Sequence, residues 1–181
     1  METNSYDDGS RRTRKARIRE IWLAPENASQ VWDVLVQSGA TPATDAALEL
    51  YRIALGIPRY GQDVRERDLP QETEQMRALN FSKGCYVGQE IVERIRSRGA
   101  VHRTFTGFTF EAGLPTPGTK IQIDGKDVGE ITSAASLPLT SGPLAVGLGY
   151  IRREAGSSGK EIVAGDAKGS AAELPFKAVF A

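Results

Sequence analysis

The 181-residue chain reads as an α+β protein in which a helical first part leads into a small antiparallel β-barrel. Three observations predict this. Apolar residues of the first part recur at helical spacing, as at Ala28, Val31, Trp32 and Leu35. From Val101 onward they fall instead in five or six short segments separated by turn residues. Among these, Asp124-Gly125 between Ile121/Ile123 and Val128/Ile131 is a strong two-residue hairpin signal.

The elements follow in chain order. Residues 1–17 are polar and read as a disordered tail, whose Arg11-Arg12-Thr13-Arg14-Lys15 run is a solvated end. Ile18 to Leu23 is predicted as a strand, and Pro25 starts a helix that Gly39 stops. The stripe on that helix is expected to face a core, with Trp22 and Trp32 packing there rather than stacking on bases. Thr44 caps a second helix to about Leu50, after which Ile53, Leu55 and Ile57 alternate as a strand ended by Pro58. Residues 59 to 79 are charged and irregular. Ile91, Val92 and Ile95 give a third helix one apolar face before Gly99 closes it. These elements assign residues 18–99 to an α+β segment and residues 100–181 to the barrel domain.

Within the barrel, Phe105, Phe108 and Phe110 share one face only if a residue is inserted near Gly107, which predicts a bulge there. Further strands are expected at about 144–152, 160–164 and 173–180, punctuated by Gly156-Ser157-Ser158-Gly159 and by Gly165.

Composition narrows the function. With 40% apolar residues the chain can build a real core as one large or two small domains. The single cysteine excludes an internal disulfide framework, no apolar run is long enough to span a membrane, and the polar start lacks a secretory signal, which makes the cytoplasm the expected compartment. One Cys and one His cannot close a structural zinc site. Cys85 and His102 flank a helix and so are not expected to form a dyad. Gly147-Leu148-Gly149 precedes no helix and is not a dinucleotide loop. The 23 basic and 23 acidic residues cancel, which argues against nucleic-acid binding by net charge.

Chemistry concentrates in Lys83-Gly84-Cys85-Tyr86-Val87-Gly88-Gln89-Glu90. A thiol just ahead of a helix meets unpaired N–H groups and the positive end of the dipole, and Lys83 adds a cation, so the thiolate of Cys85 is expected to be favoured. Gly84 and Gly88 allow tight turning, while Tyr86, Gln89 and Glu90 are expected to position the loop. Between Arg77 and Arg103 six basic residues face two acidic ones, and Arg94, Arg96, Arg98 and Arg103 are candidate anion-binding groups. The competing reading of Glu90, Arg94 and Arg98 is a solvated helical stripe.

The octapeptide resembles the signature of the YgfZ family, folate-binding proteins of iron–sulfur cluster assembly related to the glycine-cleavage T-protein (aminomethyltransferase). The likeness extends through Arg52-Ile53-Ala54-Leu55-Gly56-Ile57-Pro58, Leu69-Pro70-Gln71-Glu72, Glu93-Arg94-Ile95-Arg96-Ser97-Arg98-Gly99 and Arg103, over roughly residues 20 to 180. It implies a T-protein-like α+β domain followed by a barrel, with tetrahydrofolate as cofactor and no permanently bound metal. Its implied role is assembly or repair of iron–sulfur proteins, linked indirectly to tRNA through modifying enzymes. Cys85 would be the nucleophile or a transient metal ligand shared with an iron–sulfur assembly protein or client enzyme, with Lys83 as its cation. One thiol cannot hold a cluster alone. Two departures are expected to matter. Ala54 stands where T-proteins place a pterin-binding carboxylate, and relatives carry a further segment ahead of Ile18 with much of the folate pocket. The alternative is a folate-dependent aminomethyltransferase, which would turn over tetrahydrofolate with an aminomethylated carrier protein and leaves Cys85 unexplained. A plain RNA-binding module would instead bind in a steeply salt-dependent way.

Overall fold

A computed structural model describes residues 20–66, 68–99, 101–156 and 160–177, with the side chains of Arg77 and Arg98 also left out of the description. The polar tail and its basic run, Ile18, the Ser157-Ser158-Gly159 stretch and the end of the expected 173–180 strand lie outside the described residues. The chain divides at Thr44/Asp45 into two compact units.

In the first unit, Pro25–Asn27 forms a turn of 3-10 helix that runs into α1, Ala28–Gln37. Proline at the start suits its missing N–H, and Gly39 takes the left-handed conformation (φ +95°) while Ala40 N–H closes on the Leu35 carbonyl at 3.0 Å, a helix stop of the kind the sequence predicts. Residues 20–23 form no strand. The apolar stripe is present, but Trp22 is 89% and Trp32 54% exposed. The period is helical as expected, whereas no described element of this unit covers the face it creates.

In the second unit, α2 spans Asp45–Leu55, so the strand expected at 53 to 57 is instead the end of a helix. Ile53 and Ala54 are buried together on one face, which a helix permits and a strand forbids, because neighbours in a strand point to opposite sides. Gly56, at φ +70°, follows as the terminating residue. The helix α3 is Gln89–Arg98, between Gly88 at its start and Gly99 at its end.

The barrel comprises β1 (Arg103–Ala112), β2 (Lys120–Ile123), β3 (Lys126–Leu139), β4 (Gly142–Arg152), β5 (Ile162–Ala164) and β6 (Ala167–Ala172). It closes in the order β1-β4-β3-β2-β5-β6, with antiparallel neighbours throughout. The Asp124-Gly125 turn forms as predicted, both residues having positive φ (51° and 74°), and it joins Ile123 directly to Lys126. The last described strand is 167–172, and residues 173–177 of the segment expected at 173–180 form none.

Two apolar layers account for the phenylalanines of β1. Phe108 and Phe110 point into the barrel with Ile121, Ile131, Ile151 and Ile162. Phe105 points outward, packing with Tyr150, Leu148 and Phe176 against Ile53 and Ala54 of α2. Its ring meets Tyr150 edge-on at 5.4 Å. No insertion is needed, and β1 pairs with β4 in unbroken register from Arg103 to Phe110. The predicted bulge near Gly107 is absent because this sheet is covered on both faces, and each buried ring contributes roughly 1.5–3 kcal/mol from either side. The irregularity of β1 lies farther on, between Phe110 and Ala112 against β6. Gly107 leaves space for the side chains that cover this face, since a Cβ there would lie 2.7 Å from a Leu174 methyl group and 2.9 Å from the Phe176 ring, and these would have to shift.

Candidate functional site

The octapeptide loop is ordered from both ends. Asn80 Oδ1 accepts the backbone N–H groups of Ser82 at 2.8 Å and Lys83 at 3.0 Å, an Asx-type turn that sets the entry to the loop. At the exit, Gly88 adopts φ +89°, and the Gln89 side chain reaches back so that its Oε1 accepts the Tyr86 N–H at 3.1 Å. Gln89, at the first helical position, thus ties the loop to the start of α3 through a residue two places ahead of the N-cap.

Cys85 stands exposed between these two ends. Tyr86, Val87 and Gly88 intervene before α3, so the thiol belongs to the loop and not to the first turn of the helix. Val87 beside it is fully exposed. Lys83 places its ammonium 4.4 Å from the centre of the Tyr86 ring, and Arg96 places its guanidinium 4.6 Å from that of Phe81. Both cations lie over aromatic faces, an attractive arrangement that helps to fix long side chains. Arg96 also meets Glu93 at 3.3 Å. Glu90 and Arg94 are exposed on α3. Gly84 has open space around it, so it is not held to glycine by crowding, whereas Gly88 is by its positive φ.

Arg103 does not join this basic face. Its guanidinium binds Asp68 at 2.7 Å and Glu72 at 3.0 Å and lies 4.5 Å from the Tyr150 ring centre. Burial disfavours its charge, but Glu72 and Asp68 outweigh that and hold its pKa above the usual arginine value. Burial likewise opposes ionisation of Asp68, yet the Arg65 N–H and the Arg103 guanidinium keep its carboxyl below the usual range. Arg65 continues the network to Glu130 at 2.7 Å, and Lys120 reaches the same carboxylate at 3.0 Å. Glu130 is therefore also lowered, Lys120 and Arg65 overcoming its burial.

A second network escaped the sequence reading. Asp63 is fully buried and accepts four hydrogen bonds, from Arg52 Nη1 at 2.8 Å, the Arg59 N–H at 2.9 Å, Ser133 Oγ at 2.7 Å and Thr132 Oγ1. Gln62 donates to the Thr132 carbonyl at 3.0 Å. These contacts fasten the irregular segment after α2 to β3 of the barrel. The available signal was the density of charge in residues 59 to 79. A segment without an apolar period holds its place through polar groups, and buried charges must be paired.

Among the described residues no group of three or more His, Cys, Asp and Glu is arranged to hold a metal ion. No described helix is long and apolar enough to cross a membrane.

Taken with its barrel and its α+β layer, the molecule has the T-protein-like fold. The solved glycine cleavage system aminomethyltransferase T from Bartonella henselae superposes with a TM-score of 0.65 over 82% of this chain and 43% of that one, at 20% identity. In sequence, the relatives are aminomethyltransferase-like. The chain is 34% identical over 162 residues to At1g60990, a chloroplastic protein of Arabidopsis thaliana named as a transferase, across 86% of this chain and 36% of that protein. It is 30% identical over 146 residues to an aminomethyltransferase of Staphylococcus saprophyticus (80% of this chain, 40% of the relative) and 32% identical over 146 residues to one of Rippkaea orientalis (77% and 38%). The chain thus spans well under half the length of these curated relatives. No family model matches it.

Proposed function

We propose that this chain serves in folate-linked group transfer of the aminomethyltransferase type. The observation that carries this reading is the run of aminomethyltransferases at 29–32% identity along more than three quarters of the chain, with the same barrel and α+β layer. The expected substrates are tetrahydrofolate and an aminomethylated carrier protein. Ala54 does not fit the part of a pterin anchor. It presents a methyl group, 3% exposed, packed in the layer between α2 and the barrel, and carries no carboxylate. No step is therefore routed through this position.

A second reading, a YgfZ-type factor for iron–sulfur proteins acting through Cys85, is favoured by one specific feature. The only thiol of the chain is exposed on a loop that Asn80 and Gln89 order from either side. It would serve as a nucleophile or as one ligand of a metal shared with a partner. This reading rests on the thiol and does not require aminomethyl transfer, for which Ala54 supplies no carboxylate.

One pair of measurements separates the two. Calorimetric titration with tetrahydrofolate, followed by turnover with aminomethylated carrier protein, should give saturable binding and release of the carbon unit if the transferase reading holds. Absence of turnover, together with recovery of iron–sulfur enzyme activity by the wild type but not by Cys85→Ser in cells lacking such a factor, would replace it with the second.

A further inference from the structure

On the outer face of the barrel, where β1 to β4 meet, a cleft of about 280 Å³ is lined in part by Arg103, Lys120, Asp127, Glu130, Tyr150 and Arg152. Tyr150 is almost completely buried, yet its hydroxyl has no hydrogen-bond partner among the described residues. A buried hydroxyl left unpaired lowers stability, and phenylalanine would fill the same space without that penalty. The hydroxyl therefore calls for a partner from outside the chain.

The charges of the cleft say which kind. Lys120 meets Glu130 at 3.0 Å, and Arg103 is taken by Asp68 and Glu72. Asp127 accepts from the Gln122 amide at 2.7 Å. Arg152 is exposed, and alone among the lining cations it has no described carboxylate partner. A guanidinium offers two parallel donors matched to the two oxygens of a carboxylate, and a tyrosine O–H supplies a further donor. The flanking carboxylates of Glu130 and Asp127 disfavour a ligand of higher negative charge.

We infer that this cleft binds the carboxylate of a small molecule, held by the Arg152 guanidinium and the Tyr150 hydroxyl. The test uses the full chain, following its backbone and arginine side-chain N–H resonances during titration with acetate, glutamate and inorganic phosphate, with sodium chloride as the ionic-strength control. Saturable shifts at Arg152 and around Tyr150 are expected with acetate or glutamate. Arg152→Gln and Tyr150→Phe should each weaken binding by roughly tenfold or more. Tyr150→Phe should meanwhile unfold at the same or a higher denaturant concentration than the wild type, which a purely structural hydroxyl would not allow. Shifts that merely follow ionic strength, tighter binding of phosphate than of carboxylate, or unchanged affinity in Tyr150→Phe would each overturn the assignment.

Discussion

Cys85 and Asp63 mark opposite ways for a polar residue to matter. Cys85 is exposed and touches no core, so its replacement has little to disturb. In native protein it should react completely with an alkylating reagent at neutral pH, one label per chain by mass spectrometry. Cys85→Ser should hold the unfolding free energy within about 0.5 kcal/mol of wild type. Asp63 is the reverse case. Removing it leaves the Arg52 guanidinium, 12% exposed, without its buried partner, and strips the Ser133 and Thr132 hydroxyls of their acceptor. Asp63→Ala should therefore cost about 3–5 kcal/mol in a urea melt. A loss under about 1 kcal/mol would mean that the network positions the segment after α2 without stabilising it.

Within elements, glycines separate backbone demands from mere smallness. Gly88 begins α3 at φ +89°, where an L side chain is strained, while Gly84 lies in open space with no positive φ. Gly88→Ala should cost about 1–2 kcal/mol and loosen the Tyr86–Gln89 contact, seen as faster amide exchange at Tyr86, while Gly84→Ala should be close to neutral. Gly149 in β4 is held more tightly still, because a Cβ there would run into the Glu130 carbonyl across the strand pair. Gly149→Ala should cost at least about 1–3 kcal/mol, since backbone cannot rotate away as a side chain can. Equal melting temperatures for Gly149→Ala and wild type would refute the close approach of β3 and β4.

Across the molecule, acid should be the condition that weakens the second unit. Glu49 is held below its ordinary value of 4.5 chiefly by its Arg52 hydrogen bond, and Asp68 and Glu130 are lowered by their arginine and lysine partners once burial is overcome. A carboxylate whose folded pKa is depressed stabilises the fold above its unfolded value, and that contribution is lost as pH falls through the folded value. Stability should thus be level at neutral pH and decline once pH drops past the ordinary values of 4.5 for Glu and 3.8 for Asp. Arg103→Met removes one cation from Asp68 and Glu72, so its urea midpoint should fall less steeply over the same acid range. Parallel curves for the two proteins would show that the network does not set the acid limit.

Local spacing was enough to announce α1, α3, the Asp124-Gly125 hairpin, the barrel and the loop around Cys85, because caps, turns and helical periods act over a few residues. The end of α2, the outward turn of Phe105 and the pairing of Arg103 were not readable. Ile53, Leu55 and Ile57 fit a strand period, and only packing against the barrel selects the helix that buries Ile53 beside Ala54. Phe105 and Phe108 look misaligned until both faces of the sheet are covered. Arg103 belongs by sequence to a basic run and by distance to Asp68 and Glu72, 35 and 31 positions earlier. Which carboxylate an arginine meets depends on where a long irregular segment is laid over the barrel, and that is decided by burial and pairing between residues far apart in the chain.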